Sequence, residues 1–133
     1  MTKEEVIRTA VKWWLDKVCS KVPHNNGDSN SSSILACLFA DMGAEDVTRS
    51  QAIVFDMALT HKIEAMYAEN FEKRAYQAFM IGCDYHPCVE LYDAAKEAGI
   101  SEMNFPFKTW MRIGKDFVEV SDGYAKPFVR LDI

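Results

Sequence analysis

The stretch FMIGCDYHPCVELYDAAKEAGI, Phe79 to Ile100, decides the fold of this chain. A short apolar run from Tyr76 to Gly82 stops at a glycine and the polar corner Asp84-Tyr85-His86-Pro87. Its length and its boundaries read as a buried strand, although periodicity alone also permits a helix. Beyond Pro87, Val89, Leu91, Tyr92, Ala95 and Ala98 recur at helical spacing, and Gly99 supplies the stop. Asp84 is placed to cap that helix by accepting first-turn amides, and Pro87 is tolerated where amides have no intrahelical partner.

Working outward, the tail changes period. KTWMRI, DFVEV and PFVRLDI alternate, separated by Gly114-Lys115-Asp116 and by Asp122-Gly123. The second pair predicts a tight type I′ hairpin, whose central positions need positive φ. The tail therefore reads as an antiparallel meander in which Val118 and Val120 share a face, as do Val129, Leu131 and Ile133, and the N-terminal helices are expected to cover that face. Toward the N-terminus, Thr2-Lys3-Glu4-Glu5 forms a capping box. Val6, Ala10, Trp13, Trp14 and Val18 follow, so a helix is expected from Lys3 to Ser20, ended by Pro23. HNNGDSNSSS reads as a loop, and Ser32 to Met42 as a short apolar helix closed by Gly43. Thr48-Arg49-Ser50-Gln51 is a second capping box, opening a helix with Phe55, Leu59, Ile63 and Met66 on one face and an unmarked end near Ala68 to Phe71. The expected class is α+β: N-terminal helices packed on a small C-terminal antiparallel sheet, in one domain over 1–133, mainly helical over 1–70 and strand, helix and meander over 75–133. Asp28, Leu35 and Gly43 recur at constant offset as Asp84, Leu91 and Gly99, a spacing that helix caps alone generate.

At 133 residues, with 49% apolar and 26% charged side chains, the chain has an ordinary globular composition. A formal charge of −5 argues against nucleic acid, which rewards clustered Lys and Arg. No apolar stretch reaches the 18 or so residues of a membrane span, and the acidic start lacks the pattern of a signal peptide. The four cysteines, Cys19, Cys37, Cys83 and Cys88, are then expected as thiols in a cytoplasmic protein.

Chemistry is sparse. A strand that delivers Asp84 and His86 to a helix start could tune an imidazole, and Lys108 at the entry of the tail could bind an anion nearby. Cys83, His86 and Cys88 form C-x2-H-x-C, three donors with no partner pair downstream; Cys37 or His24 would have to fold close to complete a zinc site, and inert thiols are expected instead. Trp13 and Trp14 diverge by about 100° on a helix, so one packs centrally and the other lies at a boundary or meets a partner. Tyr124 follows the second turn and either caps a pocket or pairs across strands. Phosphate loops, G-x-S-x-G and H-E-x-x-H are absent from the sequence.

The motifs KWWLDK (12–17), NNGD (25–28), DYHP (84–87) with AAKEAGI (94–100), FPFKTWM (105–111) and VEVSDGYAKP (118–127) resemble those of a family of small, largely uncharacterised proteins from phages, prophages and mobile elements of Gram-positive bacteria. The resemblance spans nearly the whole chain. It implies a phage or mobile-element setting and a strand before Asp84; Cys83 and Cys88 are not part of the pattern. The expected function is a non-catalytic binding protein that occupies a host protein, such as a defence component, or a small ligand. Its expected contact residues are Trp13, Trp14, Tyr85, His86, Lys108 and Tyr124, and no cofactor or metal is called for. The competing reading is a small enzyme or binder for a nucleotide or other phosphorylated metabolite, with His86 as acid–base group, Asp84 as its orienter and Lys108 as anion anchor. A third reading is self-association through the edge of the small sheet.

Overall fold

Both capping boxes form as the local sequence dictates. In the computed structural model, which describes residues 1–20, 46–73 and 77–132, Thr2 Oγ1 accepts the Glu5 amide while the Glu5 carboxylate accepts the Thr2 amide, opening α1, Lys3–Cys19. Thr48 and Gln51 repeat the arrangement at the start of α2, Arg49–Tyr67. Gln51 does a second job, because its Nε2 donates to Gly99 O and so ties the start of α2 to the end of a third helix. That helix, α3, spans Val89–Ala98. It closes at Gly99, whose φ of 71° is costly for any residue with a Cβ, and the Ile100 amide returns to Ala95 O as in a Schellman motif. With neither Gly nor Pro at its end, α2 relaxes into a π turn, Ala68–Glu72.

Four strands, β1 (Phe79–Cys83), β2 (Thr109–Ile113), β3 (Val118–Asp122) and β4 (Val129–Arg130), form one antiparallel sheet in the order β1-β2-β3-β4. The run before the corner is thus a strand, starting three residues later than its apolar pattern predicts, and it extends the meander instead of standing apart. Ile81, Cys83, Thr109, Met111, Ile113, Val118 and Val120 point to one face and are buried. The helices cover that face with Val6, Val11, Trp14 and Val18 from α1, Phe55, Leu59 and Ile63 from α2, and Leu91, Ala94 and Ala95 from α3. The class is α+β. Each fully buried Leu or Ile is worth about 1.5–3 kcal/mol. Buried Asn104, on the 3₁₀ turn Glu102–Asn104, donates to Val18 O and locks that turn to the end of α1.

Three local expectations are corrected. The helix after the corner is capped by Cys88, four residues past Asp84, and no side chain completes that cap. The chain first doubles back so that Pro87 bridges Cys83, which delays the helix. At Asp122-Gly123 only Gly123 has positive φ, and six residues, not two, separate β3 from β4, so the type I′ hairpin does not form. β4 is correspondingly short, and Val129 is exposed instead of sharing a buried face. The predicted loop HNNGDSNSSS, the Ser32 to Met42 helix, Asp28, His24 and Cys37 lie outside the described residues, as does Ile133. Among the described residues, no helix is long and apolar enough to cross a membrane.

Candidate functional site

The two adjacent tryptophans separate as helix geometry requires. Trp14 is 0% exposed and lies against Phe105, so it is a core residue and no contact surface, a correction to its place among the expected binding residues. Trp13 is half-buried, meets Trp14 edge-on at 4.9 Å, and is covered by the Lys17 ammonium, which also pairs with Asp122 at 3.0 Å. Trp13 therefore seals the boundary of α1 more than it reaches outward.

The corner and the tail do meet. Asp84, immediately past β1, accepts the Lys108 amide at its backbone oxygen at 2.7 Å, and its carboxylate takes the Lys108 ammonium at 2.5 Å. The Lys108 ammonium lies near two rings, with Nζ 4.4 Å from the centre of Tyr85 and 5.9 Å from that of Tyr124. Tyr85 in turn packs edge-on against Phe107 at 5.8 Å. The hydrogen bond to Asp84, foremost, raises the Lys108 pKa, so the ammonium keeps its charge and suits the faces of the tyrosines. Three connections supply these residues: β1 to α3, the 3₁₀ turn to β2, and β3 to β4.

The rings remain in water. Tyr85 is 61%, Phe107 44% and Tyr124 80% exposed. The backbone beneath them is strained as well. Among the described residues, two without glycine's freedom have positive φ: Lys108 at 53° and Ala125 at 58°. Each left-handed residue of this kind costs about 1–2 kcal/mol, and both lie in the loops that present this cluster. Sequence reasoning selected Tyr85, Lys108 and Tyr124 but missed Phe107; its place between Pro106 and a polar strand start was the available signal.

His86 stands apart. Its side chain is 78% exposed, and its Nδ1 lies 3.7 Å from Glu102 Oε1, too far for a hydrogen bond. The Asp84 carboxylate that was expected to orient it is engaged by Lys108. The same pairing occupies the ammonium expected to anchor a phosphate. Among the described residues of this corner no nucleophile and base are in contact, and the Lys108 cation is paired with Asp84. Three clefts lie between α2 and α3 at Met57, His61 and Glu97, beside Tyr67 and Lys115, and along Tyr92, Lys96 and Glu102.

The C-x2-H-x-C donors do not converge either. Cys83 is buried in the core, where loss of hydration pushes its thiol well up, with Cys88 adding to the effect; burial also raises Cys88. At neutral pH both are protonated thiols, and His86 faces the solvent. Among the described residues no three His, Cys, Asp or Glu are gathered as ligands for a metal.

No known protein-family model matches this sequence, and no curated protein matches it significantly.

Proposed function

We propose that this chain is a non-catalytic binding protein whose contact surface is the aromatic corner of Tyr85, Phe107, Lys108 and Tyr124. The observation that carries the reading is the gathering of three exposed rings, Tyr85 and Tyr124 about the Lys108 ammonium and Phe107 against Tyr85, on loops whose backbone is strained at Lys108 and Ala125. Strained loops that hold apolar side chains in water are what selection for an interface leaves behind. Tyrosines flanked by a charge-paired lysine suit a protein surface, because each ring offers apolar area with a polar tip and few rotors to freeze. The resemblance to small phage and mobile-element proteins supplies the setting: a host protein, in the reading we favour a component of cytoplasmic defence, is the one occupied.

A photoreactive phenylalanine analogue at position 124 tests this inside host cells. Irradiation is expected to join the chain to one host protein in high yield, while the same analogue at position 13 gives none of that product. Equal cross-linking from both positions, or none from position 124, contradicts the reading.

A further inference from the structure

The outer edge of β1 is an unfinished hydrogen-bonding surface. Residues 87 and 88 close its C-terminal end: the Cys88 amide donates to Gly82 O at 2.8 Å, and Pro87 bridges Cys83. Gly82 therefore turns its backbone groups away from β2. Because these directions alternate along an antiparallel strand, Met80 turns its N–H and C=O groups to the same side, and continuing β1 by one residue gives Ala78 the same direction. Among the described residues β1 is the last strand of the sheet there, and neither Met80 nor Ala78 has a backbone partner on that edge. Natural sheets protect such edges with charge, proline or a bulge. The run Ala78-Phe79-Met80-Ile81 carries none of these, and Met80 is 47% exposed.

We propose that this edge pairs antiparallel with the same edge of a second copy of the chain, joining two four-stranded sheets into one of eight strands. The inference goes beyond the proposed function and does not depend on it. Self-pairing fits for three reasons. The strand is uncharged, so like meets like without repulsion although each copy carries a net −5. The corner at residues 87–88 limits the incoming strand to the length that β1 itself offers. A two-fold axis at Phe79 sets Met80 opposite Ala78 of the second copy, and there the outward groups of both residues complete four hydrogen bonds while stopping short of the corner. The opposite edge does not compete, because β4 is two residues long, Val129 and Arg130, and ends in a charge. Pairing of unlike edges would grow filaments, whereas pairing of like edges closes at two.

Sedimentation equilibrium over a wide concentration range tests the proposal on the full chain. The native protein is expected to show a reversible monomer–dimer equilibrium. Met80→Pro removes an outward N–H without touching the β1–β2 ladder, a setting in which a strand tolerates proline. It is expected to weaken self-association at least about tenfold, since the two-fold axis deletes that bond twice. Met80→Lys, which sets two charges near the axis, is expected to do the same, with circular dichroism unchanged for both. Arg130→Pro on β4 is expected to leave the dimer intact. A monomer at every concentration, a dimer that survives both Met80 variants in folded form, or one that depends on Arg130, overturns the proposal.

Discussion

The buried face of the sheet and the corner at its end use the same residue types to opposite ends. On the face, Met111, Ile113 and Val118 lose all contact with water beneath Trp14, Phe55 and Leu59. At the corner, a few residues along the same strands, Tyr85, Phe107 and Tyr124 stay in water on loops that carry backbone strain. The first region produces the stability of the fold. The second draws on it through the positive φ of Lys108 and Ala125, and strain of that kind marks where a function is to be sought.

Substitutions that break the buried side of this comparison should have the largest effects. Leu59→Ala removes a fully buried side chain from α2 and is expected to cost about 2–5 kcal/mol, read by denaturant unfolding. Gly82→Ala acts where the two regions join. A Cβ there would lie 2.5 Å from Thr109 O and 2.6 Å from the Trp110 ring, so both the β2 backbone and the ring must shift. Overpacking of this kind is expected to cost about 1–3 kcal/mol in the same measurement.

At the corner the sign should reverse. Ala125→Gly relieves a positive φ without removing any ring, and is expected to raise stability by up to about 1 kcal/mol while partner binding stays unchanged. The smallest effect concerns acid. Hydrogen bonds from Arg112, at 2.9 Å, and from Arg130, at 3.1 Å, hold the Glu119 carboxyl below its ordinary value on the open face of the sheet. A depressed folded pKa gives stability that is present above the unfolded value of about 4.3 and is lost as pH falls through the folded one. Glu119→Gln should therefore flatten part of the acid limb of a stability–pH curve and leave the neutral plateau's slope unchanged.

How much of this was readable in the sequence depends on the distance over which each feature is decided. Both capping boxes, the αL stop at Gly99 and the stripe Phe55, Leu59 and Ile63 of α2 rest on residues within a turn of one another, and they form as read, with Tyr67 buried next on the stripe and Met66 only partly so. The role of Asp84 was misread because its partner, Lys108, is brought in by β2 and no local pattern announces it. Local spacing offered a helix cap; tertiary structure supplied an ammonium. The turn at Asp122-Gly123 failed as a hairpin for a related reason, since Ser121 Oγ donates to Lys126 O and draws the longer loop back along the strand. For the tryptophans, spacing foretold that the pair would divide between core and boundary, but not that Trp14 would take the core. The aromatic corner was legible in part: three of its four members stood out singly, and only the sheet register joins them.

The most direct test of the account is a Tyr85→Ala/Tyr124→Ala double variant measured two ways, by unfolding and by retention of the cross-linked host protein. The account predicts stability within about 0.5 kcal/mol of the native chain, as for exposed positions, together with loss of nearly all retention. A variant that unfolds like a core mutant, or that retains the host protein undiminished, would contradict it.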